Sequence, residues 1–167
     1  IRRALKPDGL LLACLIGGSS LSELRASFTA AEAELEGGAS PRVAPFGDVR
    51  ELGRLMQRAG FALPVVDSET LTVRYDTMFG LMADLRAMGA TNALVARSRK
   101  PLRRATLMRA AEIYRDRFSD PDGRVRASFD IVWLSGWAPH ESQQKPAARG
   151  SAQMSLEAAL KATKQDP

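Results

Sequence analysis

Cysteine and histidine are almost missing from these 167 residues, which contain one of each, Cys14 and His140. A single cysteine excludes an internal disulfide and fits a reducing compartment. One cysteine with one histidine also argues against a structural zinc site. Aromatic residues make up only 6% of the chain, and they do not interleave with its one dense basic run, Arg97, Arg99, Lys100, Arg103 and Arg104. A base-stacking surface needs that interleaving, so nucleic acid is not expected as a partner despite the net charge of +5. No apolar stretch approaches the roughly 20 residues of a membrane span. No secretory leader is evident either: Pro7-Asp8-Gly9 separates Arg2, Arg3 and Lys6 from the following apolar run, and no cleavage pattern follows. Dinucleotide and phosphate loops, a nucleophile elbow and a paired-histidine zinc motif are all lacking. Gly17-Gly18 and Gly37-Gly38 read as turns flanking helices, and Met78, Met82 and Met88 as adaptable core.

The residues that are present describe one globular domain, 45% hydrophobic and 26% charged. Ile1 to Lys6 reads as the last turns of a helix, so a segment upstream is expected. Leu10 to Ile16 is an unbroken apolar run, the mark of a strand buried on both faces between parallel neighbours. Ser20 and Glu23 have capping-box spacing and open a helix with the stripe Leu21, Leu24, Phe28, Ala31 and Leu35, stopped by Gly37-Gly38. Asp48 and Glu51 repeat that spacing before Val49, Leu52, Met56 and Ala59, with Gly60 ending the helix. Leu63 to Tyr75 alternates as a strand. Asp76 is placed to cap a helix carrying Phe79, Met82 and Leu85, and a second helix is predicted from about Leu102 to Phe118 with Leu107, Ala111, Tyr114 and Phe118 inward. Arg124 to Leu134 is a long strand in which Val125, Ala127, Phe129, Ile131 and Trp133 alternate with Arg126, Ser128 and Asp130. Residues 139–167 read as an extended tail, with one short helix predicted over Ser155 to Lys164. Three strands are too few to bury the first, and an α/β sheet with earlier strands upstream resolves that conflict.

Ile1-Arg-Arg-Ala-Leu-Lys-Pro-Asp-Gly-Leu-Leu-Leu12 resembles the segment entering the fifth strand of a class I S-adenosylmethionine-dependent methyltransferase, and Val49 to Phe61 resembles the helix before the sixth. Four stretches are sharper: Gly17 to Arg25, Gly37 to Phe46, Met78 to Gly89, and Gly136 to His140 continuing through Arg149 to Ala152. They resemble the methyltransferase-like family of the mitochondrial complex I assembly factor 5 and its bacterial members, and they are similar to the malonyl-acyl-carrier-protein methyltransferase of biotin synthesis. The resemblance implies the C-terminal half of a Rossmann-like sheet: strands five to seven at 10–16, 63–75 and 124–134, the last antiparallel and lying between the other two. It implies S-adenosylmethionine as cofactor. The family's glycine loop and acidic ribose ligand have no counterpart here, so the cofactor-binding residues are expected upstream and this chain alone is expected to be inactive. Bacterial members imply a cytoplasmic location, eukaryotic ones the mitochondrial matrix.

Ligands of such sheets bind at the carboxyl ends of the parallel strands. In this chain that edge holds Gly18 and Ser19 after the first strand, Tyr75 and Asp76 after the second, and Arg124 at the start of the antiparallel third. Residues 1–138 form the methyltransferase-like part. Within it residues 76–123 leave from and return to this edge, which predicts a helical lid over the substrate, with Phe79 and Met82 on its inner face. Trp137 and His140 emerge at the far end and are not expected to be catalytic. The leading expectation is a methyltransferase-type enzyme to which this chain supplies sheet core and lid, with a protein or acyl-carrier-type substrate. The alternatives are an assembly factor hydroxylating a protein arginine, and a non-catalytic scaffold that binds an acidic partner through Arg97 to Arg104.

Overall fold

The computed structural model describes residues 1–144 and Ser151; of the tail expected at 139–167, the remaining residues, with the short helix at Ser155 to Lys164, lie outside the described residues. A 3-10 turn, Arg2–Ala4, takes the place of the helix end expected at residues 1–6. The elements after it are β1 Leu10–Gly17, α1 Ser22–Glu36, α2 Val49–Arg58, β2 Ala62–Tyr75, α3 Met78–Ala87, α4 Arg104–Phe118 and β3 Val125–Trp137. The three strands form one sheet in the order β1-β3-β2. β3 is antiparallel to both neighbours, as the resemblance implies.

The sheet is covered unevenly, and the phase of burial along β3 records it. Val125 and Ala127 are buried on one face, under α1, α3 and α4, with Leu24, Phe28, Leu81 and Tyr114. Val132 and Leu134 are buried on the opposite face, where Met56 of α2, Phe61 and the inward side of β1 pack. Side chains alternate across a strand, so this switch means that the two helical layers lie on opposite faces toward opposite ends of the sheet. β1 departs from expectation here. Leu11, Ala13 and Leu15 are packed, but Leu10, Leu12 and Ile16 on the other face are 40%, 71% and 41% exposed. Among the described residues β1 pairs only with β3 and has no parallel neighbour.

The Asp48–Glu51 capping box forms as read: the Glu51 N–H donates to Asp48 Oδ1 at 2.7 Å, and the Asp48 N–H donates to Glu51 Oε2 at 3.4 Å. Asp48→Ala is expected to cost about 1 kcal/mol, seen as a lower urea midpoint at an unchanged slope. The Ser20–Glu23 pair is not a capping box. β1 ends opposite Asp130, which leaves the edge of β3 bare from residue 129 back to 125. The start of α1 fills it: the Leu21 N–H donates to the Ser128 carbonyl at 2.8 Å, and Glu23 accepts from the Ser128 N–H at 3.2 Å and its hydroxyl at 2.5 Å. Ser20 Oγ accepts the Asp130 N–H at 2.8 Å. Both side chains therefore complete the ladder that β1 leaves unfinished, and the helix begins on Leu21 without a side-chain cap.

Two further boundaries differ. Thr77 caps α3, accepting from the Gly80 N–H at 3.3 Å, while the expected cap, Asp76, pairs with Arg124 at 3.7 Å. α4 begins at Arg104 behind an uncapped Arg103, and residues 88–103 form no helix. The α1 stripe also shifts: Leu35 is 46% exposed, whereas Glu32 is buried.

Candidate functional site

The carboxyl ends of β1 and β2 mark the edge from which α1 and α3 depart and to which α4 returns. Four of the seven expected site residues, Gly18, Asp76, Phe79 and Met82, line three separate depressions. Gly18 lines a cleft of about 340 Å³ with Asp48, Arg50, Ser68 and Asp130. Asp130 organises it: Oδ2 accepts the Ser19 N–H at 2.6 Å and Oδ1 accepts the Thr70 hydroxyl at 2.7 Å. Gly18 has φ +58, and a Cβ there would run into the Asp130 carboxylate. Asp76 and Phe79 line a second pocket of about 220 Å³ with Met108, Glu112 and Arg115. Arg124 borders it through its Asp76 contact. Tyr75 packs against the core beside α3, and burial first, then the Asp84 carboxylate, pushes its hydroxyl above the usual phenol range.

Met82 belongs to the third depression, a groove of about 290 Å³ between α1, α3 and the 88–103 segment. Leu24, Phe28, Val43, Leu85 and Leu102 form its apolar wall. Arg42, Arg86 and Arg97 also line it, with no aspartate or glutamate. An adjoining hollow of about 210 Å³ extends it along Val43, Ala44 and Phe46. Glu32 holds one wall in place. Its carboxylate accepts the Ser40 N–H and Arg42 Nε, each at 2.6 Å. Burial alone would raise its pKa, but those hydrogen bonds from Ser40 and Arg42 outweigh it and keep Glu32 below the usual carboxylate range. Asn92 Nδ2 donates to the Pro41 carbonyl at 2.7 Å and ties the opposite wall to the same loop.

The ends of the helical insert are pinned by ions. Arg74 on β2 contacts Asp120 at 2.7 Å and Asp122 at 2.5 Å, and Arg126 reaches Asp120 at 3.3 Å. The hydrogen bond from Arg74, then that from the Arg124 backbone, holds Asp122 below the usual carboxylate range. Trp137 pairs with Leu10 and Ala62, at the far end of the sheet from all three depressions. His140 is exposed nearby, its Nδ1 2.7 Å from Ser142 Oγ. Asp130, Glu32, Arg42 and Phe28 were not among the expected site residues. Phe28 lay in the predicted apolar stripe. Asp130 was visible as a carboxylate in a half-apolar strand, but its partners are distant in sequence.

The Gly17-Gly18 turn does not form a glycine cradle for the cofactor that the resemblance implies. A glycine loop that receives a nucleotide must leave space above its backbone. A Cβ on Gly17 would instead lie 2.7 Å from Val132 Cγ2 and 2.8 Å from the Gly47 carbonyl. The turn is filled by the protein's own atoms.

The antiparallel β3 set between two strands that run the same way, with helices packed on both faces, is compatible with part of a class I methyltransferase-like fold. Over most of its length the chain has homologues that are class I methyltransferase-like proteins. It is 46% identical over 157 residues to the human arginine-hydroxylase NDUFAF5, mitochondrial, and 45% identical over 153 residues to the Dictyostelium discoideum protein of the same name; these alignments cover 93% and 91% of this chain but 45% and 35% of those proteins. It is 36% identical over 138 residues to the malonyl-[acyl-carrier protein] O-methyltransferase of Xylella fastidiosa, covering 83% of this chain and 44% of that enzyme. The chain thus spans less than half the length of each of these relatives. No protein-family model matches it.

Proposed function

We propose that this chain supplies sheet core and a substrate-covering helical layer, residues 76–123, to an S-adenosylmethionine-dependent methyltransferase whose cofactor residues lie outside it. The observation carrying this reading is the apolar groove under α3, beside the carboxyl edge of the sheet, with Met82 in its wall. Layers of this kind exclude water and select substrate. The guanidinium groups of Arg86 and Arg97, beside an Arg42 paired with Glu32 and with no carboxylate among the lining residues, suit an apolar chain that ends in an anion. A cationic side chain would be repelled there. An acyl substrate on an acidic carrier protein fits this chemistry. One observation favours a second reading, hydroxylation of a protein arginine by a complex I assembly factor: identity to the arginine-hydroxylase relatives is higher, at 45% and 46% against 36%.

The test uses the whole protein. Met82→Ala is expected to lower kcat/KM about tenfold while S-adenosylmethionine affinity, measured by calorimetry, changes little. Phe79→Ala is expected to act in the same direction. Equal losses in turnover and cofactor affinity would make these helices merely structural. Mass spectrometry of a malonyl-carrier substrate and of an arginine peptide separates the two readings: a methyl gain on the first supports methyl transfer, and an oxygen gain on the second supports hydroxylation.

A further inference from the structure

We infer, on the reading of the groove as a substrate site, that Asn92 is a latch that biases this site toward short chains. The groove of about 290 Å³ and the hollow of about 210 Å³ beside it share Leu24, Leu85 and Asn92 as lining. Phe28 and Leu102 belong to the groove alone, Leu21 and Phe46 to the hollow alone. Leu21 at the start of α1 and Phe28 within it lie about two turns apart, so the two cavities together follow that helix for about 10 Å. The path has two unlike ends. Arg86 and Arg97 line the groove and not the hollow. The hollow ends at Phe46, whose neighbour Gly47 accepts the Gly18 N–H at 2.9 Å. Its inner end therefore lies beside the turn that closes β1. The chemistry that fits is an unbranched apolar chain, with an anionic group held by Arg86 and Arg97 and its other end directed toward the carboxyl edge of the sheet.

Asn92 lines both cavities, and both ends of its amide are engaged. Nδ2 donates to the Pro41 carbonyl at 2.7 Å, and Oδ1 accepts the Leu94 N–H at 3.1 Å. The second bond belongs to a closed turn, because the Arg97 N–H and one guanidinium nitrogen of Arg97 both donate to the Leu94 carbonyl, at 3.2 and 2.9 Å. The first crosses to another loop. Among the described residues it is the one hydrogen bond that ties residues 91–102 to a part of the chain beyond α3, and it is exposed. The turn leaves α3 at Gly89, where φ is +73 and the surroundings are open, a pivot on which it swings away from Pro41. Leu102 packs against the core and marks the other pivot.

The bias follows from two opposed magnitudes. One exposed hydrogen bond is worth about two- to tenfold in an equilibrium. Each further methylene buried is worth about fourfold. A short chain fills the groove with the latch closed. A longer one reaches the hollow only when Asn92 releases Pro41, so the lost bond is subtracted from its affinity and not from that of the short chain.

The test is calorimetric binding of hexyl and decyl phosphate, below their micelle concentrations, to the whole protein. Asn92→Ser keeps an oxygen for the Leu94 N–H in the same turn but is too short to reach Pro41. It should tighten decyl phosphate about two- to tenfold and leave hexyl phosphate unchanged. Ala44→Leu fills the hollow from its own wall. It should remove most of the advantage of decyl over hexyl phosphate, in wild type and in Asn92→Ser alike. Equal changes for the two chain lengths in Asn92→Ser, or a decyl advantage that survives Ala44→Leu, would overturn the latch while the groove stands as a site. If neither phosphate binds wild type, the groove takes no such chain, and the function proposed for it falls as well.

Discussion

Tyr114→Ala is expected to destabilise the fold by about 3–5 kcal/mol, the usual cost of truncating a buried aromatic side chain. Tyr114 is wholly buried in α4, in the cluster that joins α1, α3 and the start of β3. Its ring meets Phe118 edge-on, with centroids 5.6 Å apart. Its hydroxyl donates to the Arg126 carbonyl at 2.8 Å, and burial, followed by the Glu23 charge, pushes that hydroxyl far above the usual phenol range. The truncation removes the ring contacts and leaves the Arg126 carbonyl without that donor. Tyr114→Phe separates the two effects and should cost about 1 kcal/mol. Against a typical total of about 5–15 kcal/mol, that is roughly a fifth of the stability or more. Urea titration measures both. A loss below about 1 kcal/mol for the alanine variant would mean that the helical layer folds without α4 as its support.

What the sequence disclosed follows from the range over which each signal acts. The Asp48–Glu51 box was legible because both partners lie within one turn and nothing else competes for them. Ser20 and Glu23 have the same spacing, yet a strand edge more than 100 residues away claims them. Local pattern cannot register that demand. Alternation found β2 and β3, but the order β1-β3-β2 came from the resemblance, since alternation does not specify neighbours. The reading of β1 was half right: the run is a strand, while the face with Leu12 has no cover among the described residues. The α4 stripe was centred one residue off, because Thr106, Ala110 and Ile113 are buried more deeply than Leu107 and Ala111. Of the site, the edge was legible from topology. The groove at Met82 depends on the course of the 88–103 segment, which has no period to read.

Glu32→Ala should cost about 2–3 kcal/mol and should remove an acid-sensitive part of the stability. The carboxylate is 3% exposed and holds the Ser40 N–H, the Ser40 hydroxyl and Arg42 together. Alanine leaves the Ser40 donor and the Arg42 guanidinium without their acceptor, and an orphaned buried donor costs about 1–3 kcal/mol, more where charge is involved. The pH dependence has a definite sign. The pKa of Glu32 in the folded chain lies below its ordinary value of 4.5, so the unfolded chain binds the proton more readily. The stabilisation is therefore complete above about pH 4.5 and is lost as the pH falls through the lower, folded-state value. Wild type and Glu32→Ala should differ most near neutral pH and converge in acid, with Glu32→Gln intermediate because it keeps an acceptor but loses the charge. Urea midpoints measured from neutral pH down to about pH 3 test this. A constant difference across that range would mean that shape rather than charge holds the 40–43 loop. Because Arg42 lines the groove, the same variant should also raise KM in the whole protein more than it lowers kcat, the signature of a wall that binds substrate without touching the reacting atoms.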